Sequence, residues 1–223
     1  MAGYLGSSAI RMFIMFVIAA IAVVAAAIAI LVTVTADERA YRRSQAGVMP
    51  DTAATITDSR DGKTYKAIKV GTQVWMAENL NYDDAKYSRC YDNNPDNCAK
   101  YGRLYDWETA NNACPAGFHL PTNEEWNTLM DYVGGEKMGG KSLKSSKGWK
   151  RYSKSDHFDN QYGFTALPGG YGYMVESYGY IDVSFRDAGN CGLWWSAPKG
   201  RYMCIGKQSS VMANLFSVRC VQD

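Results

Sequence analysis

The sequence predicts an α+β domain of short strands, two short helices and long irregular loops, behind one apolar N-terminal helix. Three observations carry this. Met12–Val34 is an uninterrupted apolar run without charge, and roughly 20 such residues span a hydrocarbon core of about 30 Å. Leu104–Trp126 (LYDWETANNACPAGFHLPTNEEW) packs the signals of a helix, a cysteine, a short strand and a second helix into one stretch. The composition, 16 Tyr, 21 Gly and 6 Trp against 6 Pro, suits a loop-rich domain with aromatic clusters better than a helical bundle.

Taken in order, residues 1–11 precede a transmembrane helix over 12–35. Two fates compete for it. As a signal anchor it is retained; as a signal peptide it is removed after Ala36, where Val34-Thr35-Ala36 offers a small-residue cleavage pattern. The run exceeds the 7–15 residues of a usual signal core, so a signal anchor is the expectation. Arg39, Arg42 and Arg43 outnumber Arg11, which by the positive-inside rule pulls the C-terminal part towards the cytoplasm. Six cysteines pull the other way, because stable disulfides need an oxidising compartment, and the domain is placed outside the cytoplasm on that ground. Residues 36–54 lack hydrophobic periodicity and read as a tether. The folded domain is expected over 55–223.

Thr55–Asp58, Thr64–Val70 and Thr72–Met76 read as strands, with Asp61-Gly62 and Gly71 at the turns. Asn79–Tyr101 reads as a polar loop whose tip Cys90 and Cys98 can close. Asp92, Asn93, Asn94, Asp96 and Asn97 carry oxygens of the kind calcium takes, and the plain alternative is a turn rich in turn formers. Trp107 and Ala110 sit at helical spacing; Pro115 and Gly117 then bend the chain, and Phe118-His119-Leu120 is extended up to Pro121. Thr122-Asn123-Glu124-Glu125 is a capping box ahead of an amphipathic helix over Trp126–Val133.

The glycine- and lysine-rich Gly134–Ser155 reads as a solvated loop anchored by Trp149. Its basic run is Lys141, Lys144, Lys147, Lys150, Arg151 and Lys154. Phe164–Tyr180 alternates tyrosine with glycine. In Gly192–Ser196 the adjacent Trp194 and Trp195 must face opposite sides of a strand, one towards the core and one towards the surface. Leu215–Val221 reads as the closing strand.

A net charge of +2 supplies no field for nucleic acid, and none is expected as a partner. With no C-x-x-C and two histidines, a zinc site has little support, and no metal or cofactor is expected. The cysteines Cys90, Cys98, Cys114, Cys191, Cys204 and Cys220 leave fifteen pairings open.

Six segments, TITDSRDGKTYKAIKVGTQVWMAENLNY, YGRLYDW, CPAGFHLPTNEEW, FTALPGGY, WWSA and FSVRC, closely resemble, in that order, the Fibrobacter succinogenes major paralogous domain, a family of exported bacterial proteins. The resemblance covers about Thr55 to Asp223. A more distant similarity reaches the C-type lectin-like fold and its formylglycine-generating enzymes. Gly117–Trp126 matches their G-F-x-L-P-T-x-x-E-W motif, Gly169-Gly170-Tyr171 the glycine-glycine-aromatic segment, and Phe216–Arg219 the closing strand. That similarity implies a lectin-like mixed fold with small twisted antiparallel sheets. It also implies nested bridges Cys114–Cys220 and Cys191–Cys204, with Cys90–Cys98 as a local ring.

The functional expectation is a membrane-tethered binding module of the cell surface, taking a glycan or a protein through Tyr171, Tyr173, Tyr178, Tyr180, Trp194 and Trp195. Such rings stack on sugars and side chains. The calcium-dependent sugar motif of lectins is absent, so that mode is not implied. The alternative is a structural envelope protein that assembles with copies of itself. An oxidase of the formylglycine-generating type ranks lower, because all six cysteines fit into bridges; two free thiols would favour it. No catalytic residue is expected: Ser196 lacks a G-x-S-x-G turn, His157 has no carboxylate arrangement, and His119, Glu124 and Glu125 have structural explanations.

Overall fold

The computed structural model describes Met15, Val17 and residues 54–153, 156–178, 180–206 and 213–223. The chain divides into two compact units, 1–49 and 50–223, and the second holds the folded domain. The span expected over 12–35 lies outside the described residues except for Met15 and Val17, which are helical and exposed. Among the described residues no helix is long and apolar enough to cross a membrane.

The domain is α+β, with short helices and small, mainly antiparallel sheets. The first sheet orders β1 (Ala54–Thr57), β2 (Thr64–Val70), β3 (Gln73–Met76), β12 (Val221–Gln222) and β6 (Phe118–His119) side by side. The second orders β10 (Tyr202–Gly206), β9 (Cys191–Trp195), β11 (Phe216–Ser217), β5 (Leu104–Tyr105) and β4 (Ser88–Arg89). A separate ribbon pairs β7 (Tyr171–Ser177) with β8 (Tyr180–Arg186). The expected closing strand is two pieces: Phe216–Ser217 serves the second sheet and Val221–Gln222 the first, and the chain crosses between them at 218–220.

Four α-helices accompany the sheets among the described residues: α1 (Pro95–Tyr101), α2 (Trp107–Ala110), α3 (Asn123–Tyr132) and α4 (Gly135–Ser142). Two were expected. The first extra helix forms inside the polar loop because Asn94 accepts a hydrogen bond from the Asp96 N–H and Pro95 stands at the first helical position, where its missing N–H costs nothing. The second extra helix forms in glycine-rich sequence through tertiary contact. A Cβ on Gly139 would lie 2.6 Å from Met130 Cε, so glycine there lets α4 close onto α3. The capping box stands as expected, with the Thr122 hydroxyl accepting from the Glu125 N–H and the Glu125 carboxylate from the Thr122 N–H.

Two apolar clusters fill the domain, and β9 runs between them. Trp194 belongs to the first, with Trp75, Trp126 and Phe164; Cys191, Leu193 and Trp195 belong to the second, with Tyr105, Phe216 and Val218. Both faces of β9 are therefore buried. The expectation that one of Trp194 and Trp195 reaches the surface is corrected: they are 0% and 5% exposed. Trp149 anchors its basic segment, 8% exposed and donating to the Ala166 carbonyl.

Cys90–Cys98 and Cys114–Cys220 are bridged, the latter over a sequence separation of 106. The third implied bridge is corrected, since Cys191 and Cys204 are thiols. On the antiparallel pair β9–β10, Cys204 stands opposite Leu193, and Cys191 opposite Gly206. The two cysteines are diagonal neighbours on one face, and such pairs sit about 7–8 Å apart, too far for a bond that needs about 3.8 Å between Cβ atoms.

Candidate functional site

The six aromatic residues expected to form one binding surface separate into a buried set and an exposed one. Tyr171 is fully buried and its hydroxyl bonds the Asp187 carboxylate at 3.1 Å. Trp194 donates its indole N–H to Asn79 Oδ1 at 2.8 Å, and Trp195 to the Tyr105 carbonyl at 2.7 Å. These three are core, because an indole or phenol that enters the interior with its polar atom satisfied has no reason to face a ligand. Tyr173 is half-buried against the Tyr171 ring, with centroids 5.7 Å apart. Tyr178 and Tyr180 remain, 99% and 81% exposed.

The exposed pair sits on the β7–β8 hairpin. Period-2 alternation sets its faces: Val175, Tyr180, Asp182, Ser184 and Arg186 are exposed on one side, while Met174, Val183 and Phe185 are half-buried on the other. Tyr178 occupies the turn with φ of +50°, a left-handed conformation uncommon outside Gly, Asn and Asp. The foot of the hairpin is fixed. Gly172 exchanges both backbone hydrogen bonds with Leu215, and the Asn214 side chain bonds the Met174 N–H and carbonyl at 2.7 Å each. The Tyr91 ring packs on Phe185 at 5.3 Å. Exposed tyrosines are thus carried on an arm whose base is locked to the scaffold.

The domain also holds a buried polar hub that the sequence did not reveal. Arg219 is fully buried, and among the described residues no carboxylate stands within ion-pair distance of it. Its guanidinium donates to Asn79 Oδ1 and to the Phe164 and Thr165 carbonyls. The Phe164 ring lies 4.4 Å away. Burial pushes the pKa of Arg219 down to about 9, which leaves it charged at neutral pH. Asn79 completes the hub through its amide N–H groups, which reach the Tyr101 carbonyl and Ser217 Oγ. Only the residue types, an arginine beside aromatics in FSVRC, signalled this.

Cavities among the described residues include two of note. One of about 360 Å³ lies over the hub, lined by Tyr65, Glu78, Asn79, Asn81, Lys100 and Thr165 among others. The other, about 540 Å³, is lined by Tyr82, Asp84, Tyr87, Asp106, Glu108 and Asn112 among others. The acids of the second are engaged in structure. Asp84 accepts the Tyr87 and Ser88 N–H groups, Asp106 caps α2, and Glu108 pairs with Lys199. In the Asp92–Asn97 loop, Asn94 caps α1 and Asn97 donates to the Tyr91 carbonyl. Among the described residues no group of three or more His, Cys, Asp and Glu side chains is placed to hold a metal ion.

His119 is held between two carboxylates, Nε2 at 2.9 Å from Glu125 and Nδ1 at 2.8 Å from Asp223. Burial opposes its protonation, but the two hydrogen bonds and negative charges outweigh that, and its pKa is raised above 6.5. A base whose pKa is raised by folding adds stability that is full below the unfolded value and is lost as pH rises through the folded one. Denaturation of the full chain at pH 5.5 and pH 8.5 is expected to show this loss, and His119→Gln to remove the difference. An unchanged pH dependence in the variant would assign it elsewhere.

A family model described as the Fibrobacter succinogenes major domain matches residues 68–222. No curated protein and no solved structure matches the chain.

Proposed function

The chain belongs to the Fibrobacter succinogenes major domain family, and from that premise we propose that its folded domain is a binding module working outside the cytoplasm. In this reading the apolar segment 12–35 tethers it to the bacterial membrane and hairpin β7–β8 meets a glycan or protein ligand. The observation that carries the reading is the exposure of Tyr178 and Tyr180 on an arm with a fixed base. Large apolar rings held in open solvent without packing are what recognition surfaces present. Two disulfides support an oxidising location. The long bridge from the segment after α2 to the final strands supports a C-type lectin-like reading of the architecture.

The test is retention of the full chain on isolated cell-envelope material. Y178A/Y180A is expected to lose about tenfold in affinity per tyrosine, the effect of roughly 1.4 kcal/mol each, with an unchanged melting temperature. Equal retention would remove the hairpin from the site.

A second reading, the oxidase, draws on the two thiols. Cys191 is fully buried and Cys204 half-buried. Burial raises both pKa values, which favours the protonated, poorly nucleophilic form. That weighs against redox chemistry at this pair, and the binding module is the preferred reading.

A further inference from the structure

The two edges of the hairpin are treated differently by the rest of the chain. In an antiparallel pair, residues alternate between bonding their partner strand and pointing their N–H and C=O away from it. On β7, Gly172 and Met174 point outward, since they bond Leu215 and the Asn214 side chain. Their register partners are Phe185 and Val183, and the alternation continues to Glu176 opposite Ile181. Ile181, Val183 and Phe185 therefore direct their backbone groups to the outer edge of β8. Among the described residues no hydrogen bond reaches the outward groups of Val183 or Phe185. One edge is closed by a side chain that imitates a strand, and the other has no hydrogen-bonded partner among the described residues.

We propose that β8 is a pairing edge and that its occupant is β8 of a second copy of this chain, antiparallel, with the two-fold axis at Val183. The register follows from the geometry. Outward positions fall at 181, 183 and 185, so the symmetric register that satisfies all of them sets Val183 against Val183 and Ile181 against Phe185. Between them Asp182 then faces Ser184, and Tyr180 faces Arg186. The exposed charges complement each other in that register. Asp182 lies diagonal to Arg186 of the other copy, within reach of a long side chain, and Arg186 stacks on the exposed Tyr180. The result is a continuous four-stranded sheet in place of two ribbons, and a lone two-stranded ribbon is marginal in water. The contact is isologous and closes on itself. It goes beyond the binding-module reading and needs no ligand for the tyrosines.

The test uses the full chain in mild detergent. Cα atoms at the axis stand about 5.5 Å apart in such a pair, inside the range a disulfide bridges. Val183→Cys is expected to cross-link into dimers under mild oxidation at least ten times faster than Ser184→Cys, whose side chain faces Asp182 and not its own copy. By sedimentation, wild type is expected to dimerise, Asp182→Arg to shift towards monomer, and the D182R/R186D exchange to recover the dimer. Because the exchange restores the charge pair, recovery separates lost pairing from lost folding. A wild type that stays monomeric at tens of micromolar, or equal cross-linking of the two cysteine variants, would overturn the pairing. Undiminished envelope binding in Y178A/Y180A with cross-linking of the Val183→Cys chain intact would leave the pairing standing and count only against the binding module.

Discussion

Asn79→Ala is expected to cost about 3–5 kcal/mol of folding stability, the range for breaking a buried charged network. Asn79 Oδ1 is the shared acceptor for the Trp194 indole and for two guanidinium nitrogens of Arg219. Truncation strands the charge without that acceptor, and an unpaired buried group bears its full desolvation penalty. The amide N–H groups that hold Tyr101 and Ser217 are lost as well. Urea denaturation of the full chain measures this. A cost under about 1 kcal/mol, the scale of an ordinary neutral hydrogen bond, would show that Asn79 is not what compensates the buried guanidinium.

The two disulfides are expected to differ by their loops. Removing Cys114–Cys220, which closes a separation of 106, is expected to cost about 4–5 kcal/mol by the chain-entropy relation, against about 2–3 for Cys90–Cys98, whose separation is 8. Paired alanine variants compared by denaturation decide it. Equal costs would mean that local strain and residual structure, rather than loop closure, set the contribution of each bridge.

What could be read from the sequence was local. Thr64–Val70 is β2 with the boundaries expected, because Thr64, Tyr65, Ile68 and Val70 favour extended backbone and Gly71 ends the run. The capping box at Thr122–Glu125 needs four residues and no context. The Cys90–Cys98 ring was open to a local reading; the long Cys114–Cys220 bridge came from family resemblance, since no local signal joins residues so far apart. What could not be read depends on distant contacts. Gly135–Ser142 has poor helix formers and is helical through Met130 and Val133. Trp194 and Trp195 looked like ligand-binding rings until Asn79 and Tyr105 supplied their acceptors. Tyr178 and Tyr180 differ from Tyr171 only by distance along the hairpin from its locked foot. The open edge of β8 is visible only once Asn214 is seen to close the edge of β7.

The proposed function gives recognition to the hairpin and leaves the cavity over Asn79 to the scaffold. Retention on cell-envelope material tests this most directly when Y178A/Y180A is compared with a variant of the cavity rim, N81A/K100A, in the full chain. The hairpin variant is expected to lose roughly a hundredfold, two anchors at about tenfold each, while the rim variant binds as wild type does. Loss in the rim variant with full retention in the hairpin variant would contradict the assignment.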